Sequence, residues 1–508
     1  MKPSNLLFDI IKSLTPEEEG YFKQFSSLQQ GDKNYEKIYY HLLTQEEYDE
    51  RKIKEHFKKE SFVKHFPSEK NQLLHHILRS LRHHRYNNNT EAYINEQIKN
   101  IQILYNKSLY RMARQELNKI KLLAYRHELF YSILEIIDLE KVVIDIEVRF
   151  DESDMAALDD IMKEKDDVLD KITNLQIFED ELSELFALYT KYSFVKDPLE
   201  QKRVEATLKK KHLKPENAHS SRKALIASHL CQTTALRLLH RDKELITAAN
   251  ATIKLFESEE AIIAEWPLYY IMTYSFLGRA YAIHQQYKAC FSCLDKIRSL
   301  QLNPRFSSIV LQVAIFARSA INDSMFYLYT GQFEKHQKFV PYILNGINKY
   351  GNKIPGEERC TLHFILFMSY FGVNNYSGAL VWLNKILNTP EKENRPDLYR
   401  ICKLANLVIH FEMDNHTLLN YLIKANLRYY ESNADIYPFE KIFVKYFRKI
   451  ALSSKTERRR YYIIMKDELA NAFQDPYQRF ALEYFDFEAW TTSKIHNLSY
   501  AEALQSGR

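Results

Sequence analysis

The stretch Tyr274-Ser-Phe-Leu-Gly-Arg-Ala-Tyr-Ala-Ile-His-Gln-Gln-Tyr-Lys-Ala-Cys-Phe-Ser-Cys-Leu294 decides how the chain is read, because its two halves suggest different proteins. Cys290 and Cys293 form a Cys-x-x-Cys pair, which points to a redox or metal site. Leu277, Gly278 and Tyr281 stand at helical spacing, which points to packing. A structural zinc needs four ligands, and no second Cys-x-x-Cys or suitably spaced His pair follows. A thioredoxin-like dithiol belongs to a βαβ unit, and nothing around the pair reads as one. Free Cys behaves as a small hydrophobe, so the pair is read as packing.

Composition favours helices. Only 10 of the 508 residues are Gly, and none lies between Gly31 and Gly278, so glycine-dependent hairpin turns and phosphate-cradling loops have no permissive residue there. Aromatic residues make up 13% of the chain, enough apolar area to bury although 27% of residues are charged. The five cysteines (Cys231, Cys290, Cys293, Cys360 and Cys402) are sparse and odd in number, which argues against a disulfide framework and suits a reducing compartment. The first residues carry Asp9 inside their apolar run and no small-residue cleavage site, so a cytoplasmic protein is expected. Cys360 to Asn384 holds no Asp, Glu, Lys or Arg, but the polar turn Gly372-Val-Asn-Asn-Tyr-Ser-Gly378 in its middle makes it a buried helical hairpin, not a membrane span.

A residue pattern that marks one hairpin should recur. Taking Tyr287 as the opening of a second helix, equivalents fall at Leu245, Phe333, Tyr376 and Leu418, steps of 42 to 46 residues. Tyr110 lies three steps of about 45 before Leu245, with intermediate markers near Met155 and Glu200. Small residues such as Cys290 would let two antiparallel helices approach, and the aromatics would fill the gaps between neighbouring pairs.

Tyr274, Leu277, Gly278 and Tyr281 follow the Trp-x2-Leu-Gly-x2-Tyr order of a tetratricopeptide first helix, with Tyr in place of Trp, and Cys290 and Leu294 take the small and large positions of the second. The chain therefore resembles the tetratricopeptide-like α-solenoids, of the kind with lengthened helices. Its flanks, Ser13-Leu-Thr-Pro-Glu-Glu-Glu-Gly-Tyr-Phe-Lys-Gln-Phe and Glu483-Tyr-Phe-Asp-Phe-Glu-Ala-Trp490, resemble those of an uncharacterised bacterial family with such arrays, a likeness that implies no activity. The resemblance implies an all-α, right-handed solenoid of about eight hairpins with a period of about 42–46. Polar breaks divide the chain into a helical N-terminal region (1–86), basic in its second half, a repeat array (90–432) and a helical C-terminal cap (438–508).

In tetratricopeptide arrays the first helix of each hairpin lines a concave groove. Carried over position by position, Arg237, Arg241, Arg279 and Arg318 form a cationic strip leading to an apolar floor of Met325, Tyr329, Met368 and Phe371. Arg grips carboxylates in bidentate fashion, so the implied ligand is an acidic, partly hydrophobic peptide or protein segment. The plainer alternative leaves these arginines solvated or pairs them with Glu on neighbouring repeats. The reading is a non-catalytic protein-interaction scaffold without cofactor or metal, since no Walker, His-Glu-x-x-His or Gly-x-Ser-x-Gly motif occurs.

The rival reading is a DNA-binding regulator. Residues 51–85 hold ten Lys or Arg against three Glu. Two short helical patterns there resemble a helix-turn-helix, with Lys70, Arg79, Arg82 and Arg85 as candidate nucleic-acid contacts. The neighbouring His75, His76, His83 and His84 sit among these cations, which oppose a metal ion. Residues 151–184 reverse the balance, with thirteen acidic residues against three Lys, and Ile161, Val168 and Leu169 interleave them as on a solvated outer helix face.

Overall fold

A computed structural model describes residues 5–27, 34–86, 89–147, 152–192, 198–210, 221–388, 395–432, 436–479 and 481–506. The fold is all-α, with no strand among the described residues. Two compact units make it up. The first comprises Met1–Leu175 with short segments at 220–222 and 307–309, and the second holds the remainder from Gln176 to Arg508.

In the first unit, Leu6–Ser13, Pro16–Ser27, Asn34–Thr44, Glu50–His56 and Phe66–Tyr86 close over a core that includes Phe22, Tyr39, Leu42, Phe66 and Ile77. The helices Thr90–Asn106, Tyr110–Arg126 and Phe130–Glu147 follow, each packed on the next. The second unit continues this nearest-neighbour habit through Pro267–Ile283, Tyr287–Ser299, Gly356–Gly372, Tyr376–Leu387, Pro396–Glu412 and His416–Ser432. The apolar stretch from Cys360 is thus two helices with a turn at Val373 to Asn375. Ile309–Tyr329 is long and apolar enough to cross a membrane by length and composition, and 67% of its most apolar window is buried inside the fold.

One backbone device recurs at the turns. Ser108, Glu128, His240, Gln285, Gly331, Asn374 and Asp414 all have positive φ, and each stands two residues before the start of a helix. At Gln285 the turn's own N–H donates to Ala282 O and the next N–H, of Gln286, donates to Tyr281 O. The other six repeat this pair of bonds, the Schellman arrangement that satisfies the last carbonyls of a helix. Only one of the seven is Gly, so the glycine-free stretch does use left-handed turns, at Ser108, Glu128 and His240. The polar residues there accept a conformation that costs an L-residue about 1–2 kcal/mol, and the two carbonyl bonds offset it.

These turns show where helices open. Helices start at Asp242, Tyr287, Phe333, Tyr376 and His416, so Tyr287, Phe333 and Tyr376 each open a helix while the expected openings at Leu245 and Leu418 lie inside theirs. Tyr110 also opens its helix. The interpolated marker at Met155 falls within Glu152–Tyr192, a 41-residue helix that interrupts the hairpin rhythm. Its acidic residues Asp159, Asp160, Asp166, Asp167 and Asp170 are exposed while Val168 is buried.

Cys290 and Cys293 are buried on Tyr287–Ser299, where a Cβ on Gly278 of the preceding helix would lie 3.4 Å from Cys293 Cβ. The two helices thus pack closely at Gly278, with space for no more than a methyl group in van der Waals contact with Cys293. Burial pushes the Cys290 thiol up to about 11 and the Cys293 thiol up to about 12. Both therefore stay protonated and unreactive near neutrality.

The C-terminal helices do more than close the last pair. Trp490, on Phe487–His496, is buried among Phe443, Phe447 and Tyr462 and donates from Nε1 to Glu412 Oε1 at 2.7 Å. Beyond that cluster the chain runs back over earlier pairs. Phe485 and Tyr500 stack with each other and both pack on Phe371, and Gln505 Nε2 donates to Gly331 O at 3.3 Å.

Candidate functional site

Four arginines of the second unit line one cavity of about 90 Å3: Arg237, Arg279, Arg318 and Arg395. Tyr189, Ser275, Asn322, Met325, Glu357, Glu358, Thr361 and Tyr484 complete most of its wall. Arg237, Arg279 and Arg318 come from three separate helices, Arg222–Leu238, Pro267–Ile283 and Ile309–Tyr329. They do not occupy equivalent repeat positions. Counting back from the left-handed residues His240, Gln285 and Gly331, they sit three, six and thirteen residues earlier, a diagonal that still ends on one cavity.

Three of the four are matched by carboxylates. Arg279 Nη2 donates to Glu483 Oε2, and its Nη1 to Tyr329 Oη at 3.4 Å. Arg318 pairs with Glu358 at 2.8 Å and donates to Tyr189 Oη at 3.0 Å. Arg395 grips Asp397 through Nε and Nη2, both at 3.1 Å, and donates to Thr361 Oγ1 and Tyr484 Oη, both at 2.8 Å. Tyr484 Oη in turn donates to Asp397 Oδ2 at 3.0 Å. Arg237 differs. It is 3% exposed, faces the Tyr189 ring at 5.9 Å, and its Nε and Nη1 have no hydrogen-bond partner among the described residues.

The titration of these groups reflects a cationic centre. Burial opposes ionisation of Tyr189, yet Arg318 and Arg237, then Arg279, outweigh it and pull the phenol below its ordinary value. Burial would also raise the Glu483 carboxyl, but Arg279, with His240 and Arg237, holds it below the usual carboxylate range. Burial foremost, reinforced by Arg279, depresses the Arg237 guanidinium, as expected for a cation without a carboxylate of its own.

The expected strip is thus partly assembled. Arg237, Arg279, Arg318 and Met325 line the cavity, and Tyr329 meets Arg279. Arg241 does not join them: it lies in the turn after His240 and pairs with Glu244 at 2.6 Å on the surface. Met368 and Phe371 are buried, and Phe371, 1% exposed, is covered by Phe485 and Tyr500 instead of forming an open floor. The plainer expectation for Arg318, a Glu on a neighbouring helix pair, is met by Glu358.

Sequence reasoning missed Tyr189, Arg395, Asp397, Glu483 and Tyr484. Glu483 and Tyr484 carried a signal, since an acidic residue beside an aromatic is the kind of segment that the strip was expected to bind. Arg395 and Tyr189 lie outside the repeat pattern and carried none.

The basic N-terminal segment folds as Glu50–His56, a 3₁₀ turn Ser61–His65 and the helix Phe66–Tyr86. Lys70 is engaged there: its Nζ is 2.6 Å from Glu50 Oε2 and 3.1 Å from Tyr48 Oη, and its side chain is 17% exposed. Arg79 and Arg82 are exposed, and the side chain of Arg85 lies outside the described residues. His76 stacks on Tyr35 at 4.6 Å, so that edge of the helix faces the core. Among the described residues no group of three or more His, Cys, Asp or Glu is arranged to hold a metal ion.

Compared with known proteins, the chain matches no family model, no curated protein and no solved structure.

Proposed function

We propose that the second unit is a non-catalytic interaction module, a tetratricopeptide-like array of long hairpins whose arginine-lined side holds an acidic-aromatic segment of a partner protein. One observation carries this reading: the chain's own Glu483 and Tyr484 are seated on that side, Glu483 on Arg279 and Tyr484 on Arg395. The adjoining Phe485 lies against Phe371, so charge and apolar area are recognised together. An acidic residue followed by two aromatics is the recognition unit, and a partner presenting the same order competes for the site. The proposal includes a cytoplasmic location, supported by five buried cysteines that form no disulfide.

The test supplies the segment in trans. A fluorescent peptide with the sequence of residues 481–488 is titrated into a chain carrying Glu483→Ala and Tyr484→Ala, with circular dichroism confirming that helicity is kept. Saturable binding to this variant, at least tenfold weaker for the intact chain and for a peptide lacking the Glu-Tyr pair, is the expected result. No binding to the variant, or binding that ignores the Glu-Tyr pair, would overturn the proposal.

A further inference from the structure

The cavity at Arg237 contains a cation without an ion pair. Arg279 has Glu483, Arg318 has Glu358 and Arg395 has Asp397, while Arg237 has no carboxylate within ion-pair distance and is offset only at longer range, by Tyr189, Glu483 and Asp242, against Arg279. A guanidinium this deeply buried with Nε and Nη1 unsatisfied is costly to keep, because desolvation is repaid only by a paired and hydrogen-bonded partner. Yet the space beside it is not filled by protein. At about 90 Å3 the cavity has room for roughly three waters, taking about 30 Å3 each.

The wall sets the chemistry of an occupant. Tyr189, Ser275, Asn322 and Thr361 offer polar groups, and Phe276, Ile321 and Met325 offer apolar surface. Asn322 Nδ2 is fixed by Ser275 Oγ at 2.9 Å, so this part of the wall is held in place. The other three guanidiniums already hold carboxylates, and Glu357 and Glu358 also line the cavity. A second negative charge on the occupant would face them. Arg237, the one of the four guanidiniums without an ion pair, suits a carboxylate, while the carboxylates around it limit an occupant to a single negative charge and the mixed wall suits a short apolar tail.

We propose that the cavity at Arg237 is a binding site for a short monocarboxylate, a small organic acid of two or three carbons whose carboxylate pairs with Arg237. The site needs no macromolecular partner, and it stands whether or not the acidic-aromatic peptide binds. Arg237 is the specificity determinant, and the polar and apolar walls select the length and substitution of the tail.

The experiment uses the full chain and named probes. Thermal unfolding and calorimetric titration are followed with sodium acetate, sodium propionate, sodium succinate and inorganic phosphate, each against sodium chloride at equal ionic strength. A saturable rise in melting temperature with acetate or propionate is expected, at least tenfold weaker in affinity for Arg237→Gln and unchanged for the surface variant Arg241→Gln. Succinate and phosphate, with more charge, should bind more weakly. Absence of any saturable shift, retention of the shift in Arg237→Gln, or tighter binding of succinate or phosphate overturns the assignment. Folding is separated from binding by Arg237→Met, which should melt without ligand at or above the temperature of the parent chain because an unmatched charge is removed. A fall as large as that of Arg395→Met, which loses a bidentate pair, would show Arg237 to be structural and would also overturn it.

Discussion

Glu483 reaches back across 204 residues of sequence to accept a charge-assisted hydrogen bond from Arg279. Both side chains are mostly buried, 23% and 14% exposed, and His240 Nδ1 lies 3.5 Å from the other Glu483 oxygen. This contact turns a row of helix pairs into a closed arrangement, since the segment that follows the last pair lies on the arginines of much earlier ones. Long-range pairing of this kind costs loop-closure entropy and persists only because Tyr484, Phe485 and Tyr500 bury aromatic area beside it.

Removing either partner should therefore cost more than a surface ion pair does. Glu483→Gln or Arg279→Met is expected to lower stability by about 2–3 kcal/mol, against at most about 1 for Arg241→Gln, because each leaves a partly buried charge unmatched. A double-mutant cycle by chemical denaturation should return a coupling energy above about 1 kcal/mol. Additive losses would mean that the two residues do not act as a pair.

Acid should weaken the second unit through a buried histidine. His336 is fully buried, shares a 2.7 Å hydrogen bond between Nδ1 and Ser369 Oγ, and burial lowers its pKa from 6.5 to about 4. Between those values the unfolded chain binds the proton that the folded chain refuses, so this contribution is intact above pH 6.5 and is lost as pH falls toward 4. The loss amounts to about 3 kcal/mol across the window. His336→Gln should flatten the stability profile between pH 7 and 4.5 relative to the parent chain, with His363, lowered to about 4 by burial first of all, left as an internal constant. Identical profiles for the two chains would contradict the assignment.

The turns make a prediction in the opposite direction. Gln285 has φ +57, and glycine adopts that conformation freely, so Gln285→Gly should raise stability by about 1 kcal/mol. Gly331→Ala should lower it, because φ is +67 there and the new Cβ would lie 3.1 Å from Ala501 O, against the C-terminal helix. Denaturant midpoints of the two variants should move to opposite sides of the parent's. A stabilising Gly331→Ala would show that the C-terminal helix does not constrain this turn.

How much of this was legible depended on whether the physics was local. Tyr287 and Tyr376 could be recognised as helix openings because a small residue (Cys290, Ala379) and a leucine (Leu294, Leu383) recur at fixed spacing after each, and Phe333 because it follows Gly331 at a similar step from both. The register slipped at Leu245 and Leu418, where the opening residues Asp242 and His416 carry no aromatic mark and the true signal is the backbone conformation two residues before. Glu152–Tyr192 was unreadable as one helix because nothing in its composition forbids a turn near Met155. Three of the cavity's four arginines were found through a repeat alignment that the turns do not support: Arg237 and Arg279 stand near the ends of their helices and Arg318 near the middle of its own, yet all three reach one cavity. Arg395 and Tyr189 were invisible because their roles arise from tertiary closure, and although Glu483 beside Tyr484 has the chemistry of the expected ligand, no spacing rule links Arg279 to a residue 204 positions away.

The central claim is that the arginine-lined side recognises an acidic-aromatic segment through the Arg279–Glu483 charge pair, and a charge exchange tests it most directly. Peptides spanning residues 481–488, with either Glu or Arg at the position of Glu483, are titrated into chains that carry Glu483→Ala and Tyr484→Ala, with Arg279 intact or changed by Arg279→Glu. The account predicts that the two matched combinations bind and that each mismatched combination is at least tenfold weaker. Equal binding of the Glu peptide to both chains would contradict it.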